Sequence, residues 1–192
     1  MKNQIITGAD VIRQEARGLQ ALAAKLDANF GRALDLLDVE GKIVMSGVGK
    51  SGHVCRKLAS TFTSLGRHAI FIHSSEAAHG DMARIRPGKD AVLALSRSGK
   101  AMELQPIMNF ASDKDIPTVL ISENYITGLA LIADACIKLP RIEEAWGHAP
   151  TTSTAMQMAV GDAIAVCLAE RHGWTEQDFR AHHPGGALGL AI

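Results

Sequence analysis

The 192-residue sequence predicts an α/β fold: a three-layer αβα sandwich around a five-stranded parallel sheet. Three observations carry that expectation. Short apolar runs alternate with stretches of helical spacing between residues 42 and 139. The runs are continuously apolar rather than alternating, as strands are when helices cover both faces of the sheet. Glycine-rich turns follow the first and third runs, where a strand would hand over to a helix. Strands and helices that alternate in this way form doubly wound sheets.

Between residues 8 and 38, Val11, Ile12, Leu19, Leu22, Leu26, Phe30, Leu34 and Leu37 fall at helical steps. They make one apolar stripe, on a single helix or on two helices broken near Asn29 or Gly31. Residues 42–46 (KIVMS) form the first strand, and 51–65 a helix that stops at Gly66 in a left-handed cap. Residues 69–73 and 90–96 are the second and third strands. A helix over 101–112, a strand over 118–122, a short helix over 126–133 and a strand over 135–139 complete the sheet. Pro150 then precedes Thr151, a good N-cap for a long apolar helix reaching about His172, with Gly173 beyond it. No linker, repeat or low-complexity tract intervenes, so residues 1–192 read as one domain.

Composition narrows the function classes. Lys plus Arg and Asp plus Glu each number 20, so no net field draws the chain to nucleic acid or an anionic membrane. Aromatic residues are 4%, too few for a base-stacking platform. Cys55, Cys136 and Cys167 sit in apolar runs and read as buried thiols in a reducing compartment. Residues 1–10 contain no secretory apolar core, and no apolar run reaches the ~20 residues that span a bilayer. A soluble cytoplasmic protein is expected, with no nucleic-acid or membrane partner.

Doubly wound sheets bind ligands outside the carboxyl ends of their strands, at the switch point. The loop Ser46-Gly47-Val48-Gly49-Lys50-Ser51-Gly52 fits two fingerprints superficially. An NTPase phosphate loop fails because Val44 stands where its first glycine belongs. A dinucleotide site lacks its ribose-binding carboxylate, since His73, Ser74 and Ser75 follow the second strand. What remains is a turn whose backbone N–H groups and helix start can approach an anion. The loop Ser96-Arg97-Ser98-Gly99-Lys100 adds two hydroxyls and another helix start, a second anion cradle. Together the loops point to one phosphorylated ligand. Residues 73–81 place His73, Glu76, His79 and Asp81 in a third loop, with no established zinc spacing. Glu143 and Glu144 precede the long helix, and His182 and His183 lie near the chain's end.

The strings GVGKSGH, EAAHGD, SRSG with Glu103 after it, EAWGHAPTTST and HPGGALG resemble the sugar isomerase (SIS) domain of D-arabinose 5-phosphate isomerases. The resemblance runs from about residue 8 to Gly189. It implies a flavodoxin-like strand order and a homotetramer needing no cofactor. The implied activity interconverts D-ribulose 5-phosphate and D-arabinose 5-phosphate through a cis-enediol, feeding synthesis of the lipopolysaccharide sugar Kdo. The family's catalytic positions fall on Lys50, Glu103, Glu144 and His183. Lys50 would stabilise charge, Glu103 or Glu144 would move the proton between C1 and C2, and His183 would shuttle the hydroxyl proton or assist ring chemistry. Substrate-binding positions fall on Gly49, Ser51, His73, His79, Ser96, Ser98, Gly99 and Thr152. At His73, family members can also hold inhibitory zinc. The chain departs from the family at Lys100, where a glutamate is usual. The stretch from Glu144 to Pro150 is shorter than usual, and the paired CBS module that usually follows is not in the sequence. Three other readings stand beside this one: an isomerase of another sugar phosphate, a non-catalytic sugar-phosphate-binding module, and a small nucleotide-binding oxidoreductase.

Assembly has its own sequence signal. The stripe from Val11 to Leu37 is longer than a five-stranded sheet needs, and the last long helix, over 155–168, is apolar on almost every side. Surplus apolar surface marks a subunit interface. There the loop holding His79 and the segment holding His183 would reach a neighbour's phosphate cradle.

Overall fold

A computed structural model describes residues 2–185. Two helices open the chain, α1 (Lys2–Ala23) and α2 (Ala28–Leu37). There follow β1 (Ile43–Gly47), α3 (Gly49–Ser64), β2 (Ala69–Phe71), α4 (Ser74–Ala77), β3 (Ala91–Leu95), α5 (Gln105–Asp113) and β4 (Thr118–Ser122). The chain continues through α6 (Gly128–Ile132), β5 (Ala135–Lys138), α7 (Thr152–Arg171) and α8 (Glu176–Ala181). The five strands are parallel, in the order β2-β1-β3-β4-β5. This is the doubly wound sandwich that the apolar runs predict.

The pleat divides the core into two layers. Ile43 and Met45 of β1 and Leu93 and Leu95 of β3 face α2, α3 and α7. Val44, Val92 and Ala94 face the opposite way, onto α4, α5 and α6. Leu58 and Phe62 of α3 and Ile164 and Leu168 of α7 are wholly buried. Fully burying one such side chain is worth about 1.5–3 kcal/mol, so this seam fixes where the first turn of α7 lies beside that of α3.

Four elements differ from expectation. Residues 74–77, expected within a loop, form α4 with His73 as its cap. The first stripe breaks at residues 24–27, earlier than Asn29, because Asp27 caps α2 by accepting from the Asn29 N–H; Gly31 lies inside that helix. Helix α8 is absent from the expectation, yet Thr175 and Asp178 form a full capping box before it. Helix α7 is also long and apolar enough to cross a membrane by length and composition. In the fold it lies between α1 and α3 as a core helix.

Register positions the site. Gly47 of β1 pairs with Leu95 of β3, so the loops after these strands leave the same sheet edge side by side. From β1 the chain crosses to β2, and from β3 it crosses to β4 on the other side. The two crossovers diverge and open a crevice at the carboxyl edge, which is where such folds take ligands.

Candidate active site

The loop after β1 turns tightly into α3. A Cβ on Gly52 would stand 2.8 Å from the Gly47 carbonyl oxygen, so only glycine lets the helix begin this close to the strand. Gly49 and Lys50 are exposed in the first turn. Lysines that form ion pairs among the described residues are Lys42, Lys57 and Lys89; Lys50 is not one of them. The Ser51 hydroxyl donates to Gln157 Oε1 at 3.1 Å, tying this turn to α7.

The loop after β3 is held from several sides. Gly99 has φ +67°, and a Cβ there would meet Thr127 Oγ1 at 2.6 Å and the Asn124 carbonyl at 2.9 Å. Ser96 is buried, whereas Ser98 is exposed and accepts from the Lys100 N–H at 3.2 Å. The Arg97 carbonyl accepts from the Glu123 N–H at 3.0 Å and from the Ser122 hydroxyl at 3.2 Å. Its guanidinium donates to Glu123 Oε1 at 2.8 Å and pairs with Glu144 Oε1 at 2.7 Å.

Glu144 does the capping expected of Thr151. Its carboxylate accepts from the N–H groups of Thr151 at 2.9 Å and Ser153 at 3.1 Å, and from the Ser153 hydroxyl in a short bond. Burial alone would raise its pKa. The hydrogen bonds from Ser153 and Thr151, with the Arg97 charge, outweigh burial and hold the carboxyl below its ordinary value. Arg97, Glu144 and Arg141 line a cleft of about 460 Å³ with Ile142, Glu143 and Gly147. An adjoining cleft of about 390 Å³ is lined by Arg97, Arg141, Ser98, Lys100, Glu123 and Asn124. Lys100 therefore adds positive charge beside the cradle.

Other candidate residues sit around this centre. Glu103 is exposed in a 3-10 turn, Met102–Leu104, that packs against α4. His73 caps α4, its Nδ1 accepting from the Ser75 N–H at 3.2 Å, which leaves Nε2 for any ligand. His79 is exposed just beyond α4. Thr152 is wholly buried, its methyl placed where a Cβ on Gly18 of α1 would stand and its hydroxyl without a partner among the described residues. Among the described residues no three His, Cys, Asp or Glu side chains are close enough to share a metal ion.

His183 is the residue that the chain does not bring to the others. Helix α7 starts at Thr152, beside Glu144, and its 20 residues carry the chain about 30 Å toward the amino edge of the sheet. There Arg171 pairs with Asp35 at 3.0 Å, and Trp174 packs on Gly66 just ahead of β2. His183 follows α8 on that side, stacked on Phe179 with ring centroids 4.0 Å apart and Nδ1 2.7 Å from the Phe179 carbonyl. Gly186 onward, including the GALG end of the last motif, lies outside the described residues.

Sequence reasoning missed Arg97, Arg141 and Gln157. For Arg97 the partner lies 47 positions away, which no local pattern shows. Gln157 did leave a signal, as the lone amide in the apolar stretch AMQMAV.

Comparison with known proteins accounts for this combination of loops. The SIS domain model matches residues 36–167, the stretch that holds the whole sheet and most of α7. The chain belongs to the SIS domain family. It is 40% identical over 188 residues to the arabinose 5-phosphate isomerase KdsD of Yersinia pestis, covering 96% of this chain and 57% of that protein. Its identity to KdsD of Escherichia coli K12 is 38%, with the same coverage. The chain thus spans little more than half the length of these curated relatives. Among solved structures, the Escherichia coli CFT073 protein c3406 in complex with arabinose 5-phosphate superposes with a TM-score of 0.90 at 30% identity. That match covers 95% of this chain and 98% of the other.

Proposed function

We propose that this SIS domain is an aldose–ketose isomerase interconverting D-ribulose 5-phosphate and D-arabinose 5-phosphate through a cis-enediol. The observation that carries the reading is the pair of anion cradles at the switch point, after β1 and β3, beside an unpaired lysine and two carboxylates. The likeness to a structure holding arabinose 5-phosphate and to the KdsD enzymes supports the same substrate. The phosphate takes the N–H groups at the start of α3 with the hydroxyls of Ser96 and Ser98.

Catalysis moves one proton between carbons and one between oxygens. A base removes a proton from C1 of the ketose, giving the enediol, exchanges it with solvent and delivers a proton to C2; the O1 proton passes to O2. Glu103 is the base in this reading, because it is exposed, follows the loop after β3 and has no capping duty. A positioned carboxylate contributes about 10²–10⁴-fold by proton transfer. Glu144, with both oxygens engaged and its pKa lowered, is a weak base and instead fixes α7 and Arg97 around the substrate. Lys50 stabilises the developing oxyanion, worth about 10²–10³-fold for one preorganised group.

His183 completes the site from a second subunit. Within one chain it lies at the wrong sheet edge, and α1 presents exposed Ile5, Ile6, Ile12 and Leu19 for association, with exposed Leu26 just beyond it. A groove of about 170 Å³ between α1 and α7, lined by Leu19, Leu26, Val160 and Ala163, continues that surface. The surplus apolar area is thus mainly on α1, since α1 and α3 already cover most of α7. A homotetramer with composite sites is the proposed assembly. Incubating the protein with arabinose 5-phosphate and following ribulose 5-phosphate by NMR tests the reaction. Turnover of a hexose phosphate in its place, with none of arabinose 5-phosphate, would assign a different isomerase.

A further inference from the structure

Gln157 lies in the second turn of α7 and is wholly buried. Its Oε1 accepts from the Ser51 hydroxyl at 3.1 Å, while its Nε2 has no hydrogen-bond partner among the described residues. A buried amide N–H without a partner is costly, more so than an unused carbonyl lone pair. The two ends of the amide are nearly the same size, and a half-turn about the terminal bond exchanges them. After that half-turn, Nε2–H donates to Ser51 Oγ and the orphaned donor is satisfied.

The half-turn changes what Ser51 does. A serine hydroxyl has one proton and two lone pairs. While Oε1 faces it, that proton is committed to Gln157, and Ser51 offers only lone pairs to a ligand. With Nε2–H facing it, one lone pair is used and the proton is released. Ser51 lies in the first turn of α3, next to Lys50 and directly after the loop whose N–H groups face the crevice. The released proton then joins a set of donors that suits an acceptor-only, charged group.

We propose that Gln157 is a positioning residue that, by donating to Ser51 Oγ, makes the Ser51 hydroxyl a donor to the phosphate of the substrate. This rests on the reading of the loop after β1 as a phosphate cradle, and it adds how the cradle prefers a dianion over a neutral hydroxyl. The pair has one arrangement for each state. Without an anion, Ser51 donates to Gln157; with one, the amide turns and Ser51 donates outward.

The test is calorimetric titration of the full chain with arabinose 5-phosphate and, separately, with inorganic phosphate, alongside KM and kcat. Ser51→Ala should weaken phosphate binding about tenfold, the scale of one hydrogen bond to a charged group. Gln157→Leu should weaken it about threefold to tenfold by removing the donor that turns the Ser51 hydroxyl outward, with KM rising and kcat little changed. In the Ser51→Ala background, Gln157→Leu should have no further effect, since it acts only through that hydroxyl. Gln157→Glu can only accept, so it holds the Ser51 proton inward and adds like charge; binding should fall well below that of Gln157→Leu. Additive losses in the double variant, or Gln157→Glu binding as tightly as Gln157→Leu, would overturn the proposal. Thermal melting of each variant separates these results from misfolding. A wild-type protein that binds neither ligand would instead overturn the phosphate-cradle reading itself.

Discussion

Replacing Glu144 by alanine removes one buried carboxylate and leaves five donors without it. The N–H groups and the hydroxyls of Thr151 and Ser153 lose their acceptor, and Arg97 loses one of its two ion-pair partners. The Glu144 side chain is 1% exposed, while that of Arg97 is 37% exposed. Breaking a buried ion pair typically costs about 3–5 kcal/mol, largely because the other charge is stranded. Here water and Glu123 still reach the guanidinium, which moves the expected cost to the lower part of that range. A helix cap alone is worth about 0.5–2 kcal/mol, which sets the floor. We therefore expect Glu144→Ala to destabilise the fold by about 3–4 kcal/mol at pH 7, and Glu144→Gln, which keeps one acceptor, by about half as much. Urea denaturation followed by circular dichroism at fixed protein concentration measures both, with an unchanged m-value as the control. A loss below about 1 kcal/mol for the alanine variant would refute the clamp and reopen Glu144 as a free general base. Lost activity in Glu144→Ala therefore does not by itself identify a base.

Further outcomes follow from the same geometry. Lys50→Ala should lower kcat/KM about 10²–10³-fold, and Glu103→Gln should lower kcat about 10²–10⁴-fold, both with unchanged urea midpoints; steady-state kinetics checks this against Glu143→Ala and His182→Ala, which should be mild. Gly99→Ala forces a left-handed residue and a Cβ 2.6 Å from Thr127 Oγ1, so it should lose more than about 2 kcal/mol and bind phosphate weakly, as read by denaturation and titration. Asp90 is buried at the far edge, which raises its pKa, but bonds from Arg86 and the Lys42 N–H, with the Lys42 charge, bring it to about 2. Its folded value is depressed, so its contribution is present above about pH 4, the unfolded value, and is lost as pH falls toward 2. Urea midpoints at pH 5, 4 and 3 should fall for the wild type and flatten over that window for Asp90→Asn.

How much of this was legible in the sequence depends on the range of the cause. The five strands follow from apolar runs that no neighbouring residue interrupts, and the two cradles follow from glycines whose close approaches are local to each loop. Boundaries failed where one side chain decides them. Asp27 starts α2 and Thr175 with Asp178 starts α8; both are local cap signals that were there to be read. The role of Glu144 was not legible, because it depends on Arg97 and on where the start of α7 packs. The same holds for His183, whose motif marks it as functional while the 20-residue length of α7 carries it away from the cradles. Of the two apolar surfaces that the sequence marks, the N-terminal stripe stays exposed along α1, whereas α7 is largely covered by α1 and α3, which only the packing shows.

Isomerisation in deuterated water tests the central claim most directly. Ribulose 5-phosphate incubated with the protein in D2O, and followed by proton NMR, should give arabinose 5-phosphate carrying deuterium at C2, as a base exchanging with solvent during enediol formation requires. Glu103→Gln should abolish that label while leaving phosphate binding intact. Conversion with no solvent deuterium at C2, or no conversion with arabinose 5-phosphate bound tightly, would contradict the account.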